Sequence, residues 1–281
     1  MNLKVGIHVS IAGSVDKALD RAKEKECDVF QIFTRNPRGW AFAELEEQSV
    51  KEFRRKTTEY QIAHGVVHLP YLPNLSSPKS DFYEKSIASL IAELHRCERL
   101  SIPYLVFHPG SHLGEGMDVG LKRLVSAINR ALGAVENDVM LVMENTAGQK
   151  NSMGATFEEL QQILDQLTNK DRVGICLDTC HAFARGYDLR NRNAVRKTLD
   201  EFQKVLGFEK LAILHLNDSC SPLGSGIDKH EHIGMGRIGE EGFRELLRDD
   251  RIRAVPMILE TPIDSRRDDI ANIAKIRSLA R

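Results

Sequence analysis

Val173-Gly174-Ile175-Cys176-Leu177-Asp178-Thr179-Cys180-His181 is the stretch on which the reading of the chain turns. An apolar run of strand length, containing β-branched residues, stops at the carboxylate of Asp178, and the imidazole of His181 follows three residues later. Runs without polar alternation suit strands buried on both faces, as in parallel sheets. In parallel α/β proteins chemistry gathers just past the carboxyl ends of the strands. Asp178 and His181 are therefore candidates for a metal or catalytic role, with an ordinary turn as the alternative.

Working outward, similar runs recur at Leu3–Val9, Asp28–Phe33, Gly65–Leu69, Tyr104–Phe107, Val139–Met143, Leu211–Leu216 and Val255–Leu259. With Val173–Leu177 they make eight, starting roughly 25 to 45 residues apart. Between them lie segments with helical spacing, among them Ser14–Lys25, Glu44–Tyr60, Asp81–Arg99, Gly120–Ala134, Thr156–Leu167, Asn193–Val205 and Glu240–Leu247. Thr156 precedes Phe157-Glu158-Glu159, a capping-box arrangement. Asp81–Arg99 carries an apolar stripe at Ile87, Leu90, Ile91 and Leu94. Strand then helix, eight times over, with no long Pro/Gly/Ser linker, predicts an α/β fold in which residues 1–281 form a single-domain (β/α)₈ TIM barrel. An open doubly wound sheet is the alternative, and eight repeats favour the barrel.

The bulk composition is that of a soluble globular protein, with 42% hydrophobic and 28% charged residues. A formal net charge of −1 advertises no polyanionic partner, so any nucleic-acid binding must come from a local patch. Met1-Asn2-Leu3-Lys4-Val5-Gly6 lacks the charged head and apolar body of a signal peptide. No apolar run approaches the roughly 18 residues of a membrane span. Five scattered cysteines, an odd number, fit reduced thiols in a cytoplasm better than a disulfide framework. Cys176 and Cys180 flank Asp178 and suggest zinc, but no second pair accompanies them, and they read as packing residues.

A barrel demands chemically unusual residues at its strand ends. Going round, these are His8, Thr34-Arg35-Asn36, His68, His108, Glu144-Asn145, Asp178, His215 and Glu260, so seven of eight are His, Asp or Glu. Closing the sheet would bring them into one bowl, where several buried carboxylates need cations. Imidazole and carboxylate without thiolate fit zinc, manganese or iron rather than calcium or magnesium. His181 lies just past strand six, and Asp228-Lys229-His230-Glu231-His232 follows strand seven, with Asp228 and His230 two apart. The candidate ligands are His68, His108, Glu144, Asp178, His181, His215, Asp228, His230 and Glu260. Nine are too many for one ion and suit two or three sharing a carboxylate, an arrangement that hydrolyses phosphate esters well. Composition and spacing reach a multi-metal hydrolase or isomerase and do not choose the substrate.

The substrate comes from a resemblance. His8-Val9-Ser10-Ile11-Ala12-Gly13, Phe33-Thr34-Arg35-Asn36-Pro37-Arg38-Gly39-Trp40 and His68-Leu69-Pro70-Tyr71-Leu72-Pro73-Asn74-Leu75 are followed by His108-Pro109-Gly110-Ser111-His112 and Glu144-Asn145-Thr146-Ala147-Gly148. Then come Leu177-Asp178-Thr179-Cys180-His181-Ala182-Phe183, Gly186-Tyr187-Asp188, His215-Leu216-Asn217-Asp218, Asp228–Gly234 and Leu259-Glu260-Thr261. In order and over nearly the whole chain, these resemble the endonuclease IV family of apurinic/apyrimidinic endonucleases. The resemblance implies a zinc-dependent phosphodiesterase that incises duplex DNA 5′ to an abasic site, leaving a 3′-hydroxyl and a 5′-deoxyribose phosphate, and that removes 3′-blocking groups. It implies three zinc ions per chain, with manganese or iron at one or more sites as alternatives.

The resemblance also sorts the ligands. His68, His108 and Glu144 match the first ion; Glu144 bridges to the second with Asp178, His215 and Glu260; His181, Asp228 and His230 match the third. Glu260 and Glu144 take the catalytic positions, Glu260 by orienting the attacking hydroxide. Arg38, Tyr71 and Leu72 match the DNA-binding positions that enter the base stack once the abasic nucleotide is flipped out. The partner implied is double-stranded DNA with abasic sites or 3′-blocked ends, and a cytoplasmic monomer with no membrane association is expected. Two departures stand out: His232 where the family often has Asn, and Met235 where many relatives carry a charge. His8 and His112 match family motifs outside the ligand set and read as groups behind the ligands or beside phosphate, or as structural residues. Arg35, Arg38, Lys150, Arg185 and Arg237 fall on the β→α side as candidate phosphate contacts. The competing readings are a xylose-isomerase-like divalent-metal sugar isomerase, which has no need of the third ligand set, and a metal-binding or DNA-scaffolding protein without turnover.

Overall fold

The apolar runs do become strands buried on both faces. In the computed structural model, which describes residues 3–63 and 65–281, the strands are β1 (Val5–His8), β2 (Val29–Ile32), β3 (Gly65–His68), β4 (Tyr104–Phe107), β5 (Met140–Glu144), β6 (Val173–Asp178), β7 (Leu211–His215), β8 (Asp218–Ser219), β9 (His230–Glu231) and β10 (Met257–Leu259). Met1-Asn2 of the amino-terminal reading lies outside the described residues. Eight of these strands, all parallel, close in the order β1-β10-β7-β6-β5-β4-β3-β2. The barrel, not the open sheet, is the fold.

Closure puts β1 between the first and last units, with Gly6 opposite Val29 on one side and Ile258 on the other. A Cβ on Gly6 would lie 1.7 Å from the Val29 carbonyl oxygen, so only glycine lets these strands approach. Side chains alternate along each strand. Val67, Leu105, Leu141, Ile175, Leu214 and Leu259 join the large core under the helices. Val29, Val66, Val106, Val142, Cys176, Ile213 and Ile258, all 0% exposed, form a separate cluster inside the barrel. That inner cluster is the packed floor on which the mouth is built.

The helices are α1 (Lys17–Glu24), α2 (Glu47–Glu59), α3 (Ser80–Leu100), α4 (Met117–Ala134), α5 (Phe157–Gln166), α6 (Thr179–Arg185), α7 (Arg192–Val205), α8 (Gly239–Leu246), α9 (Asp250–Arg253) and α10 (Asp269–Leu279). The cap on α5 forms, the Thr156 hydroxyl accepting from Glu159 N–H at 3.1 Å. Two features matter for the mouth. Where a turn was the alternative, Asp178 ends β6 and also caps α6, accepting from His181 N–H at 2.8 Å. β8 and β9 pair as a short antiparallel ribbon that folds residues 218–231 over the mouth. Asp218 anchors it by accepting from the backbone N–H groups of Gly234, Gly236 and Ile238 at 2.9–3.0 Å. Among the described residues no helix is long and apolar enough to cross a membrane.

Candidate metal centre at the mouth of the barrel

Because the side-chain period of a strand is two, the residue two places beyond each floor residue points back into the barrel. Val66 is thus followed by His68, Val106 by His108, Val142 by Glu144, Cys176 by Asp178, Ile213 by His215 and Ile258 by Glu260. Gly6 and Val29 are followed in the same way by His8 and Gln31. The contribution of β2 is therefore Gln31, not Thr34-Arg35-Asn36. Arg35 is instead buried: its Nε donates to Glu93 Oε1 at 2.7 Å, and Thr34 donates to Glu93 Oε2 at 2.6 Å. With its guanidinium committed there, Arg35 is not a phosphate contact. Period-two alternation within Val29-Phe30-Gln31 is the signal that would have found Gln31.

The structure brings all nine candidate ligands together. His68 Nε2 and His108 Nε2 lie 3.2 and 3.3 Å from Glu144 Oε2. His215 Nδ1 lies 3.1 Å from Glu144 Oε1, 3.4 Å from Glu260 Oε2 and 4.0 Å from Asp178 Oδ2. His181 Nε2 and His230 Nε2 face the two oxygens of Asp228 at 3.2 and 3.3 Å, and His230 Nε2 is 3.8 Å from Asp178 Oδ2. Ligand atoms within 4.8 Å of one another form three principal groups: His68, His108 and Glu144; Glu144, Asp178, His215 and Glu260; and Asp178, His181 and His230. Glu144 joins the first two groups and Asp178 the last two. Cys176 Sγ also lies within that distance of Glu144 and His215, and Cys180 Sγ of Asp228 and His230. Both cysteines are buried, and burial pushes both thiols up to about 12.

Three imidazoles have one nitrogen tied down by backbone. Nδ1–H of His68 donates to the Leu69 carbonyl at 2.7 Å, that of His181 to Asn145 at 2.9 Å and that of His230 to Glu260 at 3.0 Å. Each Nε2 is left facing the carboxylates, which is how a ligating histidine is held. Asn145 and Asn217 brace the carboxylates from behind. Asn145 Oδ1 accepts from Asp178 N–H at 2.7 Å, while Asn217 donates to Asp178 Oδ2 at 2.6 Å and accepts from Glu260 N–H at 2.8 Å.

Crowding of charge shows in the titration of these groups. Burial would raise Glu144 and Glu260, yet the facing imidazoles, His215 foremost, hold Glu144 well below its ordinary value and Glu260 at about 2. Burial opposes protonation of His230, but Asp228 and Asp178 lift it to about 9. Burial likewise opposes protonation of His181 and His215, yet Asp178 and Asp228 raise the first well above its ordinary value, and Cys176 with Glu144 and Glu260 the second. Burial wins at His108 and His8, which fall to about 4. Protonated imidazoles here answer carboxylates that a cation is suited to answer.

Around this bowl stand the other residues singled out by sequence. Tyr71 is 67% exposed at the rim, its ring 5.0 Å from Phe33, and its N–H donates to the Pro37 carbonyl at 3.2 Å, which links its loop to that of Arg38. Leu72 is partly exposed, and Arg38, Lys150, Arg185 and Arg237 are exposed. His232 is fully buried away from the bowl, its Nε2 3.0 Å from Asp264 Oδ1 and its Nδ1 2.9 Å from Asn272, so it is no rival to His230. His112 Nδ1 accepts from Gly114 and Gly116 N–H at 3.2 and 3.0 Å, a local loop cap. Met235 is exposed.

Comparison with known proteins agrees with this geometry. A family model described as xylose isomerase-like TIM barrel matches residues 19–279. The protein of Methanoculleus marisnigri named probable endonuclease 4 is 54% identical over 98% of both chains. That of Nitrosopumilus maritimus, with the same name, is 50% identical over 99% of this chain and all of its own. Among solved structures, endonuclease IV from Thermus thermophilus superposes with a TM-score of 0.87 at 35% identity, covering 98% of each chain.

Proposed function

Since the chain belongs to the endonuclease IV family, we propose that it is a DNA-repair nuclease that hydrolyses the phosphodiester bond 5′ to an abasic site in duplex DNA at a centre of three zinc ions. The observation that carries this reading is the chain of three ligand groups linked through Glu144 and Asp178. An independent sign that the residues fit a metal is His230 Nε2, which is buried and makes no hydrogen bond of good geometry. A bound imidazole nitrogen has no need of one.

His68, His108 and Glu144 would hold the first ion, Glu144, Asp178, His215 and Glu260 the second, and His181, Asp228 and His230 the third, with manganese or iron able to replace zinc at one or more sites. Such ions supply Lewis acidity and a nucleophile at neutral pH. Glu260, ionised at neutral pH and with its side chain 23% exposed, faces the bowl and orients the attacking water or hydroxide through Oε2. The water oxygen bonds to phosphorus and gives up its proton to solvent, the bond from phosphorus to the 3′-oxygen breaks, and that oxygen takes up a proton from solvent and leaves as a hydroxyl. A 5′-deoxyribose phosphate remains on the other side of the nick. The same chemistry on a terminal ester removes 3′-blocking groups.

Arg38, Tyr71 and Leu72 serve as the wedge. An abasic site has already lost stacking, so extruding it costs less than extruding an intact nucleotide, and side chains at the rim fill the gap. The net charge of −1 is no obstacle, since Arg38, Lys150, Arg185 and Arg237 supply cations at the mouth. A sugar isomerase on the same barrel leaves the His181–Asp228–His230 group without a role. We further take residues 1–281 to be one domain, acting as a monomer in the cytoplasm.

Incubation of the purified protein with a duplex carrying one abasic site tests the proposal. Single-strand incision on the 5′ side, lost after chelation and restored by zinc, is the expected result. Absence of incision with zinc, manganese or iron overturns it.

A further inference from the structure

Gln31, fully buried, is the one residue of the eight inward strand-end side chains that neither takes up nor releases a proton. Its amide touches three of the others. Gln31 Nε2 donates to Glu260 Oε1 at 2.6 Å and lies 3.1 Å from His8 Nδ1, and Gln31 Oε1 lies 3.0 Å from His215 Nε2.

Chemistry fixes the orientation of this amide. An ionised carboxylate offers only acceptors, so the edge against Glu260 must be the NH₂. The carbonyl edge then faces His215, and His215 Nε2 must carry hydrogen. Its other nitrogen, Nδ1, is the one aimed at Glu144 Oε1 and Glu260 Oε2 at 3.1 and 3.4 Å. His68, His181 and His230 are oriented by backbone carbonyls and present Nε2. His215 presents the opposite nitrogen, and a side chain holds it there.

We propose that Gln31 is a positioning residue, which selects Nδ1 of His215 as the ligand nitrogen and fixes the rotation of the Glu260 carboxylate. This rests on the metal-centre reading above. One amide thereby couples a ligand of the second ion to the group that orients the attacking water. It also requires His8 Nδ1 to be an acceptor, which the low value of about 4 at His8 permits.

The test uses the whole chain with Gln31→Leu and Gln31→Met, the second filling the volume with a flexible side chain. Zinc affinity is measured by competition with a chromophoric chelator. The ring nitrogens of His215 are read by long-range ¹H–¹⁵N correlation in zinc-loaded protein, and incision kinetics are followed on an abasic duplex. Expected are a loss of about 10- to 100-fold in affinity for one zinc and a changed His215 nitrogen pattern. The kcat should fall while KM for DNA stays put, because Gln31 reaches no surface. Melting temperatures of the metal-free variants within a few degrees of the parent exclude general unfolding as the cause. A fall in kcat with unchanged zinc affinity and an unchanged His215 pattern would show packing alone and overturn the proposal; so would parental behaviour throughout. If the unmodified protein retains no zinc, the metal-centre reading fails first and takes this one with it.

Discussion

Val106 and His108 stand at the end of one strand with a single residue between them, and so do Val142 and Glu144, Ile213 and His215, Ile258 and Glu260, His108 and Glu260 lying just past the last strand residue. The lower member of each pair is apolar and packed among its own kind. The upper member is an imidazole or a carboxylate pressed against others of opposite demand. Both layers hang on the same eight strands, so a strand that fixes one fixes the other. Stability and chemistry are therefore stacked along the barrel axis rather than spread around it. A substitution at one level should report on a different property from the same substitution two residues on.

The sharpest separation is expected from Asp178→Asn, in the upper layer. Asparagine keeps an oxygen that can accept from His181 N–H, so the α6 cap survives. It removes a charge shared by two ligand groups. Loss of several kcal/mol of charge stabilisation lowers kcat/KM on the order of 10³-fold, with the melting temperature of the metal-free protein nearly unchanged. Full activity in this variant would take Asp178 out of the site.

Ile213→Ala, one level down, should do the reverse. Ile213 is fully buried in the floor, and the cavity left behind costs about 2–5 kcal/mol of stability, measured by denaturant titration. Activity per folded molecule at low temperature should stay within a few-fold of the parent. If activity falls as steeply as for Asp178→Asn, the two layers are not separable.

A milder perturbation is pH, applied to protein stripped of metal. His8 and His108 titrate at about 4 in the folded state against an ordinary 6.5, so between these values the unfolded chain binds more protons and stability rises with pH. His230 titrates at about 9, so from 6.5 to about 9 the folded chain binds more protons and stability falls with pH. Melting temperature should pass through a maximum near 6.5. Zinc should bind more tightly as pH rises through the upper window, because it displaces the proton on His230. A metal-free protein whose stability climbs steadily across that upper window contradicts the assigned contacts of His230.

Much of this architecture was legible without coordinates, and the part that was not has a physical reason. Hydrophobic runs located all eight barrel strands because a strand buried on both faces leaves no choice of residue class. The ligands were legible because polar groups at the ends of such runs are costly unless used. What the runs hide is which residue faces inward. The first polar residue at the end of a run is the inward one at His68 and Asp178. At β2 that rule points to Thr34-Arg35-Asn36, whereas the inward side chain is Gln31, within the run. Partnerships across long sequence distances were hidden as well. Nothing near Arg35 foretells Glu93, 58 residues on, and nothing near His232 foretells Asp264 and Asn272. The α6 cap is hidden in the spacing because Asp178 does two jobs, and only one shows there.

The alternation that separates floor from ligands has a counterpart in the loop after β2, where it supplies the smallest effect and the finest test. Arg35 and Arg38 are three residues apart, and a charge count treats them alike. Arg35 is buried against Glu93, while Arg38 is exposed in the loop whose Pro37 bonds Tyr71 at the rim. If the rim meets phosphate, Arg38→Glu combined with Arg237→Glu should weaken binding of an abasic duplex. The slope of log affinity against log salt should flatten by about 1 for each phosphate no longer neutralised, with thermal stability unchanged. Arg35→Gln should leave the salt slope alone and lower the melting temperature, because Glu93 is left buried without its partner. An unchanged slope in the double charge reversal would mean that the cations at the mouth do not face DNA. A flattened slope in Arg35→Gln alone would mean that the loop opens on binding and that the burial of Arg35 belongs only to the free protein.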